Sequence, residues 1–125
     1  GYEVTNEQII SAENFRQDLY KKMVNFFADY DFLICPTCSV LPFDIKTPFV
    51  TEIDGIPCKT YIDWFAITFA LTLTSCPIIS LPIGFSNSGL PVGIQILGKP
   101  RQEDRLLAFA KLIEDKVGLH RNSPI

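Results

Sequence analysis

Apolar and polar positions divide the chain into stretches of different period. From Thr5 onward, Ala12, Leu19, Met23, Phe26 and Phe27 recur at helical spacing, with Arg16, Asp18, Lys21 and Lys22 on the other side. Thr5 and Gln8 stand at capping-box spacing, which makes Thr5 the expected N-cap. The pattern predicts an amphipathic helix of about five or six turns, ending near Asp29. "YDFLIC" then reads as a short buried strand stopped by Pro36.

No period of 2 or 3.6 holds from Pro36 to Lys59, a stretch with Pro36, Pro42, Pro48, Pro57 and an Asp54-Gly55 turn. Structureless stretches of this length usually line or cover a site, and a plain surface excursion is the alternative. Tyr61 to Leu73 is apolar nearly all round, with Asp63 its only charge, and predicts a helix buried on every side. So small a chain offers little to surround such a helix, which implies that material belongs around it.

"IISLPIGF" and "LPVGIQIL" flank "SNSG" and predict a hairpin. In the second strand Val92, Ile94 and Ile96 share one face, and Gly93, Gln95 and Leu97 the other. Glycine weakens a strand, so Gly93 and Gly98 suggest the close approach of another backbone. The apolar run implies a central strand covered on both faces. Leu106, Phe109, Ala110, Ile113 and Val117 then form one helical face, with Glu103 and Asp104 in the first turn and Gly118 as the stop.

Composition narrows the function classes. The chain has 125 residues, enough for one domain, with 47% hydrophobic and 20% charged residues and a formal charge of −3. The eleven Lys and Arg are scattered, so no basic stripe invites a nucleic acid. No apolar run has the length of a membrane span and no signal peptide is visible, so a soluble, cytoplasmic protein is expected. Cys35, Cys38, Cys58 and Cys76 read as buried free thiols of a reducing compartment. Cys35-Pro36-Thr37-Cys38 has redox or zinc spacing, but a Pro-rich stretch follows in place of a helix, and no second close pair completes a metal site. Neither metal nor cofactor is expected.

A hydrolase needs a nucleophile, a base and oxyanion donors. His120, the only histidine, follows a helix stop and reads as a surface residue. "GFSNSG" joins two strands, whereas a nucleophile elbow joins a strand to a helix, so Ser86 and Ser88 read as turn residues. Adjacent Glu103 and Asp104 splay around their helix and suit capping. From the residues alone this is an α/β piece with a missing neighbour and no evident active site.

The order of motifs adds to this. "DFLICPT", an apolar helix, "CPIISLPIGF", "GLPVGIQILG" and the acidic-start helix "EDRLLAFAKLIE" together resemble the C-terminal part of the amidase signature family, over Asp31 to Glu114. The resemblance implies a few strands of a mixed sheet with a central hairpin packed against helices. It implies a parent enzyme that hydrolyses a carboxylic amide through an acyl-serine intermediate, with a second serine and a lysine as the remaining machinery. No Gly-Gly-Ser-Ser stretch occurs, and no lysine sits in a matching context, so no catalytic residue carries over. Residues 1–125 are then expected to be the C-terminal portion of an amidase domain, inactive alone. Where the family shows Asn-x-x-Gly-x-Pro, this chain has Thr72 for the Asn and Ser75 for the Gly.

By position in that family, Cys35, Pro36, Thr37, Phe43, Phe49, Ser75 and Cys76 are the expected acyl-pocket lining. The expected partners are a small amide substrate and the rest of the amidase chain, with no nucleic acid or membrane, and homo-oligomerisation is left open. Two alternatives stand beside this reading. One is a non-catalytic amidase remnant that binds or scaffolds. The other is one subunit of an amidotransferase that acts on charged transfer RNA, which would want an arginine for an acidic side chain, and none lies between Arg16 and Arg101.

Overall fold

A computed structural model describes residues 3–119, so His120 and the tail lie outside the described residues. Helix α1 spans Asn6–Asp29, and Thr5 is its N-cap in a complete capping box with Gln8. The Gln8 N–H donates to Thr5 Oγ1 at 3.2 Å and the Thr5 N–H to Gln8 Oε1 at 2.9 Å. The expected apolar face is only partly covered. Phe27 is buried, Leu19, Met23 and Phe26 are half-buried, and Ala12 is exposed.

Strand β1 spans Phe32–Pro36. The stretch after it contains a small hairpin, β2 (Glu52–Ile53) and β3 (Ile56–Pro57), turning at Asp54 and Gly55, both with positive φ. Strands too short to show alternation explain why the sequence pattern missed it.

The apolar segment departs most from expectation. Tyr61 to Leu73 is not one helix buried on every side. It is a 3₁₀ turn (Asp63–Phe65), a single five-residue helix α2 (Ala66–Ala70) and a second 3₁₀ turn (Leu71–Thr74). Tyr61, Ile62, Phe69 and Leu73 are exposed, and only Thr74 of the three pieces is buried. Five β-branched residues and three aromatics between positions 62 and 74 favour helix weakly. The entrance is fixed instead by Asp63, whose carboxylate accepts from the Lys59 N–H (2.6 Å), the Thr60 N–H (3.0 Å) and Thr60 Oγ1 (2.6 Å). These bonds, the Thr60 hydroxyl foremost, hold the Asp63 carboxyl below its ordinary pKa.

Strands β4 (Ile78–Phe85) and β5 (Pro91–Gly98) form the expected hairpin. Gly89, at φ 78°, makes the turn. The sheet is antiparallel throughout, in the order β1-β5-β4, so β5 is central as the sequence implies. Pro82 lies at a bulge in β4, an edge strand of this sheet, where a missing N–H is tolerated.

Register sorts the side chains. Leu81 and Ile96 pack with Leu106 and Ala110 of α3 (Glu103–Val117), joined by Phe32, Ile79 and Ile94. The Phe32 and Phe109 rings stack at 4.1 Å, and Asp31 pairs with Arg105 at 2.8 Å. Gly118, at φ 69°, ends the helix as expected. The opposite face of the sheet carries Cys35, Ser80, Gly93 and Gln95 beneath the α2 segment.

Candidate functional site

The alternation of β5 puts Gln95 on the α2 side of the sheet, 4% exposed. A buried amide must find partners. Its Nε2 donates to the Pro36 carbonyl at 3.0 Å and the Ile67 carbonyl at 3.3 Å, which ties the end of β1 to α2. Cys35, opposite Gln95 in the register, lies beside it. Burial pushes the Cys35 thiol above its ordinary pKa, and its hydrogen bond with Gln95 acts the other way.

The sheet, the stretch after β1 and the 3₁₀ turn at Trp64 enclose an open cleft of about 650 Å³. Residues 36–43 form one wall, Trp64 another, and residues 80–82 and 91–93 the floor. The volume falls within the range of small-molecule sites. None of the fifteen lining residues carries a formal charge at neutral pH.

The floor is built from close contacts. The Thr37 N–H donates to the Gly93 carbonyl at 3.1 Å, and the Thr37 carbonyl accepts from Thr68 Oγ1 at 2.9 Å. Thr37 Oγ1 and Ser80 Oγ lie 3.1 Å apart. A Cβ on Gly93 would meet both the Leu81 carbonyl oxygen and Thr37 Oγ1 at 3.1 Å, so the glycine serves the close backbone approach that its place in the strand implies. Gly98 differs, since the atoms a Cβ there would meet first belong to the Leu106 side chain, at 3.1 Å. On the wall, the Phe43 ring meets Trp64 edge-on at 5.5 Å, and the Cys38 thiol donates to the Trp64 carbonyl at 3.9 Å.

The residues expected to line a pocket therefore separate. Pro36, Thr37 and Phe43 come together in the cleft. Cys35 sits behind it, against Gln95. Phe49 packs on Tyr61 at 5.6 Å, outside the lining and one step along an aromatic chain that continues through Phe65 to Trp64. Cys76 donates its N–H to Thr74 Oγ1 at 3.3 Å, in the loop before β4. Ser75 lines a different hollow of about 610 Å³, with Arg16, Tyr20, Lys21 and Arg101. All four thiols are free and half-buried, less covered than the sequence suggests.

Ser80, Trp64 and Gly93 were not among the expected lining residues. A signal for Ser80 existed: it is the lone polar side chain of "IISLPIGF", and the hairpin register sets it opposite Gln95, the lone polar side chain of "LPVGIQIL".

The model of the family described as Amidase matches residues 2–107. The chain belongs to the amidase family. Among curated proteins, a glutamyl-tRNA(Gln) amidotransferase subunit from Treponema denticola is 35% identical over 124 residues, covering 90% of this chain and 24% of that protein. The corresponding protein of Thermodesulfovibrio yellowstonii is 39% identical over 100 residues, covering 79% of this chain and 19% of that protein. The chain thus spans about a quarter of the length of such relatives.

Solved amidase structures share the fold. A bacterial aryl acylamidase of the amidase signature family superposes with a TM-score of 0.78 at 22% identity, over 98% of this chain and 27% of that one. A 6-aminohexanoate cyclic dimer hydrolase gives 0.76 at 26% identity, over 92% of this chain and 25% of that one. The amidase-signature arrangement read from the motif order is therefore the fold of this chain.

Proposed function

We propose that this amidase-family chain is part of a cytoplasmic enzyme that hydrolyses a carboxylic amide through an acyl-serine intermediate, releasing ammonia or an amine. In this reading residues 1–125 are the C-terminal portion of the amidase domain, supplying sheet core and one wall of the acyl pocket. The serines and lysine of the machinery belong to other parts of the enzyme, and the chain alone turns over no amide. The observation that carries the pocket assignment is the uncharged cleft between the 36–43 stretch, Trp64 and the floor of the sheet.

The structure separates two phenylalanines that the sequence grouped, which supplies the test. In the enzyme that carries this segment, Phe43→Ala should change the ranking of kcat/KM between large and small acyl groups by roughly 1–3 kcal/mol. Phe49→Ala, at a ring outside the lining, should leave the ranking within error. A uniform loss of rate across substrates would mark a catalytic role for Phe43. An unchanged ranking in both folded variants would remove the cleft from the acyl pocket. For the chain alone, steady amide turnover abolished by replacing one of its own serines would overturn the division of labour.

The relatives support a second reading, in which the chain is part of an amidotransferase, because both curated relatives bear that name. That reading asks the site to meet an acidic side chain, for which the cleft offers no cation.

A further inference from the structure

The hydroxyls of Thr37 and Ser80 are the paired polar groups of an uncharged cleft whose remaining lining, apart from Cys38 and Ser39, is proline, glycine, aliphatic and aromatic. Two hydroxyls 3.1 Å apart share one proton between them, whichever of the two donates. The second proton has no recorded acceptor, so the pair presents one donor, beside its unused lone pairs, to whatever enters. Its place is fixed: Thr37 is held through its N–H by Gly93 and through its carbonyl by Thr68, and Gly93 leaves no side chain over the pair. The free donor on the floor calls for an acceptor. The absence of charge in the lining argues against an ion, since a carboxylate entering it would lose its hydration with no cation to replace it.

We propose that the cleft selects a neutral, apolar acyl group that carries one hydrogen-bond acceptor, held by the Thr37–Ser80 hydroxyl pair. The proposal rests on the acyl-pocket reading above and names the substrate class of that pocket. Thr37 and Ser80 are specificity residues in it: they touch the acyl group away from the bond that is cleaved. The flat walls of Phe43 and Trp64 suit an aromatic or otherwise planar group.

The test uses the enzyme that carries this segment, where competition with a substrate amide gives the affinity of each ligand for the cleft. Three benzamides of nearly equal shape supply the test, carrying a para-acetyl, para-isopropyl or para-carboxylate group at neutral pH. The acetyl compound should bind about threefold to tenfold more tightly than the isopropyl one, the worth of one net hydrogen bond. The carboxylate should bind more weakly than both. Ser80→Ala, at an exposed position, should abolish the acetyl advantage and leave isopropyl binding unchanged, and Thr37→Val should do the same where it folds. Equal affinity for acetyl and isopropyl overturns the proposal, as does an acetyl advantage that survives Ser80→Ala. Tightest binding of the carboxylate overturns it in favour of an anionic substrate. If none of the three competes for the site of that enzyme, the acyl-pocket reading falls and the proposal with it. Indiscriminate binding of all three sinks the proposal alone and leaves the pocket.

Discussion

Ser75 sits at φ 57°, in the left-handed region where a Cβ is strained. The resemblance read from the motif order implies a glycine at this position. The loop keeps a glycine-like backbone without the glycine. Strain of this kind costs of order 1 kcal/mol or more, and glycine's greater freedom in the unfolded chain offsets part of the gain. Ser75→Gly should therefore stabilise the chain modestly, by roughly 0.5–1 kcal/mol, read as a shift of the urea midpoint at constant slope. A lower midpoint would mean that the Ser75 hydroxyl makes a contact worth more than the strain. Single residues were legible in the sequence where a side chain has one evident job. The capping pair Thr5–Gln8 and the stop Gly118 were of this kind. Trp64 and Ser80 were not, because their roles come from neighbours far along the chain.

Elements with a clean period were legible almost to the residue: α1, the β4–β5 hairpin and α3. The apolar segment was not, since a stretch without polar positions reveals neither its breaks nor its cover. Its entrance depends on Asp63, which gives a pH dependence. The Asp63 carboxyl is held below its ordinary pKa, first by the Thr60 hydroxyl. A depressed carboxylate contributes stability at and above its unfolded pKa and loses it as pH falls through the folded value. The turn at Thr60–Asp63 should thus hold at neutral pH and open in acid, beginning below about pH 4. Trp64 is the next residue, so its emission should change over that range, and Asp63→Asn should remove the transition. An acid transition of Trp64 unaltered in that variant would assign it to another group.

Across the molecule the balance of surface is unusual. Ile9, Ile10 and Phe15 of α1 are more than half exposed, Phe69 and Leu73 near α2 are also uncovered, and Leu107 and Leu112 of α3 are 58% and 65% exposed. Exposed apolar side chains are ordinary singly, but contiguous patches mark association surfaces. The 125-residue chain should bind a hydrophobic dye and sediment as a concentration-dependent mixture. A dilution-resistant monomer that leaves the dye dark would show that these side chains cover one another in solution. The order of motifs disclosed the family and its fold. The cleft stayed hidden, because it is assembled from three stretches that no local pattern connects.

The Gln95 amide also bears on how long the chain between β1 and α2 can be. Its bond to the Pro36 carbonyl joins residues that β1–β5 pairing has already brought together, so it closes no new loop. Its bond to the Ile67 carbonyl fastens the wall to the sheet, and the path from Pro36 to Ile67 is then a loop anchored at both ends. The entropy of closing a flexible loop grows only with the logarithm of its length, about 0.6 kcal/mol for each doubling. The stretch around Ile45, which is 98% exposed, can therefore gain or lose residues at little expense to the cleft. The rim of the cleft can thus be reshaped by changing the length of one segment, while the floor keeps its place.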